Sequence, residues 1–323
     1  MPKRSDYQPN PLFTDLFPEI SGNEVNGLGE TEPRRASPFF WHPPPRQSHG
    51  ALQAAVTDFH RHSPELRRHF SPTPPGGRGP KPIEQAPDRI EQSPQTWTDA
   101  IKSFSLSHEA DLVGIAAMDE RFLFEGYESD HPFIIVIGVA MDYSELSQVP
   151  ATAENPAGAV VVAREYNRAS RASREIANQI LSQGWAAKAY PGPYASALNM
   201  IPAAIEAGLG ELGKHGSIIN RELGSSFRLS AVTTDLPLVV DTPDDFGADD
   251  YCTRCQACVR ACPPDAIYNK KQMVRGESKW YVDFDKCIPY FGETFGCGIC
   301  IAICPFSRPG NAPRLIERMQ KKK

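Results

Sequence analysis

The chain has 323 residues, 40% of them hydrophobic, with a formal net charge of −5. That is enough apolar material for one or two cored domains, and the acidic balance gives no global attraction for nucleic acid. No stretch reaches the roughly 20 apolar residues of a membrane-spanning helix.

The start, "MPKRSDYQPN", lacks the apolar core of a secretory signal. Arg34-Arg35 and Arg67-Arg68 are each followed by proline-broken sequence, "ASPFFWHPPP" and "HFSPTPPGG", so neither opens a twin-arginine signal. The reading is a cytoplasmic chain. Residues 1–95 hold more than half of the 31 prolines. Their composition predicts a largely irregular N-terminal segment, with apolar pieces such as "PLFTDLF" and "ALQAAVTDFHRH" docking on the folded body. A chain beginning near Ser93 is expected to keep its cofactor sites.

From Trp97 the pattern changes. "WTDAIKSFSLSHEA" has helical spacing; "DLVGIAAM" and "FIIVIGVAM" read as strands. One long helix runs from Ala159 to a stop at Gly184, a second covers "SALNMIPAAIEAG", and "SFRLSAVTTDLPLVV" gives a strand and turn. Residues 96–245 are thus a body of mixed helices and strands. Within it, "IEAGLGELGKHG" contains Gly208, Gly210 and Gly213 in the G-x-G-x-x-G spacing of dinucleotide-binding folds. That mechanism needs a strand before the motif and a helix after it. Here a helix precedes it, and the Gly216, Asn220 and Gly224 that follow cannot sustain one. The glycines are read instead as a helix cap and a place for close backbone approach.

All eight cysteines fall between Cys252 and Cys304. "CTRCQACVRACP" is a C-x₂-C-x₂-C-x₃-C-P run, and "CIPYFGETFGCGICIAICP" repeats its ending after Cys287. In two-cluster ferredoxins three thiolates of such a run hold one iron–sulfur cube and the fourth holds the other. Cys252, Cys255, Cys258 and Cys304 are therefore expected on a first [4Fe–4S] cluster, and Cys262, Cys287, Cys297 and Cys300 on a second. Structural zinc favours two separated C-x₂-C pairs or added histidines, so residues 246–323 read as a ferredoxin-like domain. The last lysines, Lys321-Lys322-Lys323, read as a short solvated tail.

"AGLGELGKHGSIINRELGSSFRLSAVTTDLPL", followed by the two cysteine runs, resembles the corrinoid-dependent iron–sulfur reductases, which include reductive dehalogenases and epoxyqueuosine reductases. The likeness covers about Trp97 to Arg308, and the cysteine pattern is closer to the dehalogenases. It implies an α+β fold: a nitroreductase-like core holding a corrinoid (cobalamin) with its lower base displaced, then the two-cluster domain. The implied activity is reductive dehalogenation of a small organohalide, fed by an external one-electron donor such as a ferredoxin, a flavodoxin or a reductase. An epoxide-deoxygenating reductase is the alternative within the family, and an iron–sulfur carrier without chemistry is the alternative outside it. The acidic chain argues against a nucleic-acid substrate.

The resemblance also implies site residues. Tyr166 matches the dehalogenase proton donor, Glu165 stands where epoxyqueuosine reductases have an acid, and Arg228 is the nearest cation, with Lys214 second. Gly208, Gly210, Gly213, Lys214, His215, Gly216 and Ser217 would line the corrinoid site. Where many dehalogenases carry Gly-Pro-Arg-x-Arg, this chain has Gly224-Ser225-Ser226-Phe227-Arg228, so one arginine is missing.

Overall fold

The computed structural model describes residues 6–42, 48–192 and 197–321. The first five residues, most of "HPPPRQ", Ser196 of the second helix reading and the last two lysines lie outside the described residues. Among the described residues no helix is long and apolar enough to cross a membrane.

Four strands form the central sheet: β1 (Leu112–Ala117), β2 (Phe133–Ala140), β3 (Ala187–Tyr190) and β6 (Phe227–Thr234). Their order is β1-β2-β6-β3, antiparallel throughout. No parallel crossover is present in this sheet, so the body is α+β. Successive side chains of a strand point to opposite faces. On one face Ile135, Ile137 and Val139 meet Ala169, Ala172, Ile176 and Ile180 of the long helix Ala157–Ser182. On the other, Ile134 and Val136 meet Ala203, Ala204 and Ala207 around helix Met200–Glu206. Both faces of β2 are covered, which is why its sequence is an unbroken apolar run. Strand β3 and the two-residue hairpin β4 (Glu211–Leu212) with β5 (Ile218–Ile219) escape the sequence reading, being too short to show a period.

Helix Met200–Glu206 runs into Gly208, and the hairpin β4–β5 occupies the place where a dinucleotide fold would put a helix. Gly210 has φ +140°, and a side chain there would strike the Ile219 carbonyl. The glycine spacing therefore serves a tight hairpin packed on the preceding helix.

Most of the N-terminal segment is irregular, as its composition predicts, yet it is firmly packed. Phe13, Leu52 and Val56 are fully buried and cluster with Ile288 on helix Phe284–Glu293. Leu66, on helix Pro64–Phe70, packs on Ala159, Ala163 and Phe295. Asn23 Nδ2 donates to Asp283 at 2.8 Å, and the Phe284 N–H donates to Asn23 Oδ1 at 2.8 Å. The segment is a wedge between the long helix and the cysteine region. The anchors Phe13, Leu52 and Val56 lie in "PLFTDLF" and "ALQAAVTDFHRH", the apolar pieces expected to dock.

In the cysteine region short helices end at Cys-Pro. Ala257–Ala261 stops at Cys262-Pro263, and Ile299–Ala302 leads into Cys304-Pro305. The residue before proline avoids helical backbone, so each pair turns the chain away from its loop. The two regions abut: the Ser225 N–H donates to Ser307 Oγ at 3.2 Å, and Gly224 lies against the Phe306 carbonyl with φ +58°.

Candidate redox and active site

The cysteines separate into two groups. Cys252, Cys255, Cys258 and Cys304 line one small cavity with Lys214, His215, Tyr251 and Phe306. Cys262, Cys287, Cys297 and Cys300 line a wall of a much larger one. Among the described residues no three His, Cys, Asp or Glu side chains converge closely enough for one metal ion. Each group borders a gap instead, which fits a polynuclear cluster better than zinc with its sulfurs ~2.3 Å from one ion. Burial above all pushes the Cys258 and Cys304 thiols up to about 12, and Cys252 and Cys297 up to about 11. Without a positive group these thiols stay protonated at neutral pH, so metal binding must expel protons.

The large cavity has a volume of ≈ 300 Å³. Ligand pockets run from roughly 300 to 1,000 Å³, so it is large enough to take a small-molecule ligand. Its lining is mainly apolar. Leu146, Ala159, Val162 and Ala163 face it from one side and Pro263, Ile267, Phe291 and Phe295 from the other. The polar side chains on it, beside the cysteines, are Trp41, Thr57, His60, Tyr166, Ser217, Arg228 and Tyr290.

Tyr166 and Arg228 come from different elements, the long helix and β6, and meet at the cavity. The Arg228 guanidinium carbon lies 5.6 Å from the Tyr166 ring centre, and Arg228 Nε is buried without a hydrogen-bond partner. The Tyr166 ring is close-packed against Gly192, where an added Cβ would sit 2.8 Å from it. Glu165, one position back, points about 100° away around the helix. It is buried, ion-paired to Arg164 at 2.8 Å and Arg168 at 3.6 Å, and absent from the cavity lining. The structure brings Tyr166 and Arg228 together and leaves Glu165 out.

Of the loop expected to line the corrinoid site, only Ser217 reaches the large cavity. Gly208 and Gly210 serve backbone contacts with Thr242 and Ile219, Gly213 packs on His215, and Gly216 faces Val282. Lys214 and His215 turn to the first cysteine group. Lys214 is therefore not the second cation near Tyr166. His215 Nδ1 accepts from the Ser217 N–H at 3.2 Å, so its proton sits on Nε2, facing Ser225 Oγ at 3.2 Å. Burial lowers His215 to about 4 and keeps it neutral, as a brace for the loop.

Sequence reasoning missed the contribution of the N-terminal segment. Trp41, Thr57, His60, Leu66 and Phe70 all line the large cavity. His60 is 7% exposed, its Nε2 has no partner, and burial lowers it to about 4, so it is a neutral imidazole. The available signal was the helical spacing of Leu52, Val56 and His60, which puts them on one face.

Residues 251–307 match the family described as a 4Fe-4S dicluster domain. Over 185 residues the chain is 35% identical to the tetrachloroethene reductive dehalogenase of Sulfurospirillum multivorans, covering 54% of this chain and 35% of that protein. It is 30% identical over 220 residues to the epoxyqueuosine reductase of Escherichia coli K12, covering 56% of this chain and 54% of that one. A solved catabolic reductive dehalogenase in complex with 3-bromo-4-hydroxybenzoic acid superposes with TM-score 0.65 at 25% identity, over 83% of this chain and 39% of that chain. The chain thus spans about a third to a half of the length of these relatives. It is related to both groups of reductases, and the dehalogenase matches are the closer.

Proposed function

We propose that the chain is a corrinoid- and iron–sulfur-dependent reductase that replaces the halogen of a small organohalide with hydrogen. The observation that carries this reading is the placement of Tyr166 and Arg228 on one apolar cavity with the second cysteine group. Residues 96–245 would form the catalytic core and residues 246–323 the two-cluster domain, with the N-terminal segment closing the cavity. The cavity's apolar lining suits a corrinoid, held with its lower base displaced as the resemblance implies, and the two cysteine groups fit two [4Fe–4S] clusters. When bound, these groups would supply single electrons and a low-valent cobalt beside the carbon–halogen bond.

Replacing halogen by hydrogen consumes two electrons and one proton and releases a halide. We assign Tyr166, on the cavity lining, to give that proton from its hydroxyl, with the Arg228 cation over its ring. The surrounding apolar side chains limit water, which strengthens that interaction. An external one-electron donor would supply the electrons. Epoxide deoxygenation is the second reading, drawn from the epoxyqueuosine reductase relative; the withdrawal of Glu165 from the cavity speaks against it.

Protein reconstituted anaerobically with iron, sulfide and cobalamin and reduced with titanium(III) citrate is expected to release halide from 3-bromo-4-hydroxybenzoic acid or from tetrachloroethene. Full cofactor loading without halide from either, together with reduction of an epoxide, would move the chain to the deoxygenating reading.

A further inference from the structure

Lys214 is 1% exposed, inside the loop between β4 and β5. Its Nζ donates to the Cys255 carbonyl at 2.9 Å and lies 4.7 Å from the Trp280 ring centre. Its backbone N–H points at Cys252 Sγ, 3.5 Å away. Among the described residues no carboxylate pairs with it, as none pairs with Arg228, whereas Arg34, Arg89, Arg121, Arg164, Arg168, Arg171 and Arg221 have acidic partners. A buried cation without an anion is costly. The cavity that Lys214 lines supplies one if four thiolates there carry a cluster, whose net charge is negative and grows by one on reduction.

The second cysteine group has different surroundings. Cys297 and Cys300 pack among Met141, Val161, Ile299 and Ile301. Arg228 lines the same large cavity, yet no cation stands among the resolved neighbours of Cys287, Cys297 or Cys300; each group has one acid beside it, Asp283 at Cys287 and Asp249 at Cys252. Lys214 acts on Cys252 and Cys258 alone among the six thiols whose shifts are resolved. A fixed positive charge favours the more negative, reduced form of an adjacent cluster, and charge and hydrogen bonds to sulfur are the levers that set cluster potentials.

We propose that Lys214 makes the two cluster sites unequal, raising the reduction potential of the first above that of the second. The inference rests on the reading that both cavities hold [4Fe–4S] clusters. It assigns an order to one-electron transfer. The second site lies on the wall of the large cavity beside Tyr166, so the first is the one left to take the electron from the external donor. The second site, on the wall of the large cavity, holds an electron less tightly and passes it on more readily. Lys214 touches no substrate; it is a residue that tunes the wire.

The test is a redox titration of the loaded protein followed by electron paramagnetic resonance. Wild type, Lys214→Met, Lys214→Gln and Lys214→Arg are compared, with iron and sulfide measured on each. Wild type is expected to show two midpoints. The higher one, identified as the first site by its altered signal in Cys255→Ser, falls in Lys214→Met and Lys214→Gln and stays near wild type in Lys214→Arg, while the lower one does not move. An unchanged higher midpoint in the Met and Gln variants overturns the proposal, as does an equal fall at both sites. A Gln variant at the wild-type potential would show that hydrogen bonding, not charge, is responsible, and also overturns it. Absence of iron and sulfide from wild type removes the cluster reading itself and is told apart by that measurement alone.

Discussion

Tyr166→Phe is expected to lower turnover on a halogenated substrate by ~10²–10⁴-fold, the usual contribution of a positioned acid, while iron and corrinoid contents stay at wild-type levels. The substitution removes only a hydroxyl. The ring keeps its place beside Gly192 and under Arg228, so the loss reports chemistry and not a cavity. Glu165→Gln should behave differently. Glu165 is tied to Arg164 and Arg168 away from the cavity, so its loss unsettles a buried ion-pair network and shows as reduced stability, with turnover per folded molecule retained. Steady-state halide release, normalised to bound cobalt, separates the two. A sluggish Glu165→Gln beside an active Tyr166→Phe would reverse the assignment and favour the deoxygenating reaction.

A chain truncated at Ser93 is expected to fail to assemble either the large cavity or the second cysteine site. Phe13, Leu52, Val56 and Leu66 are at most 1% exposed and pack on the elements that carry Cys287 and Tyr166. Burial of one such side chain is worth about 1.5–3 kcal/mol, so losing four removes roughly 6–12 kcal/mol, comparable to the whole ~5–15 kcal/mol stability of a domain. Soluble yield, near-ultraviolet circular dichroism and iron content would all fall together. A truncated protein that still binds its full complement of iron and corrinoid would restore the expectation drawn from composition.

That expectation shows where sequence reasoning reaches its limit. The proline-rich average of residues 1–95 is a sound signal for irregular backbone, and irregular is what most of the segment is. Phe13 and Leu52 do lie in the two apolar pieces expected to dock, but their partners near Ile288 are more than 200 positions away in the chain, so where they dock was not legible. The long helix, β1, β2 and β6 were legible because their apolar periods extend over six residues or more. Strand β3 and the β4–β5 hairpin were not, since four and two residues carry no period. The cysteine spacing predicted two groups of four, and the folded chain gathers the same two groups, because the chain reversal at each Cys-Pro pair is a local property. The Gly-rich loop was misplaced for the opposite reason. Its glycines were legible as backbone devices, but which cavity Lys214 and His215 face is decided by how the hairpin docks on helix Ala248–Arg254, a tertiary fact. Tyr166 and Glu165 were legible as neighbours on one helix, and only the fold shows which side is turned to the cavity.

The central claim is that one chain holds two iron–sulfur clusters and a corrinoid around Tyr166. Its most direct test is quantification of iron, acid-labile sulfide, zinc and cobalt in protein purified anaerobically after reconstitution with cobalamin. The account predicts about eight iron and eight sulfide per chain for two [4Fe–4S] clusters, with about one cobalt retained through gel filtration. Zinc without sulfide would contradict the cluster assignment, and full iron with no retained cobalt would leave an electron carrier in place of the reductase.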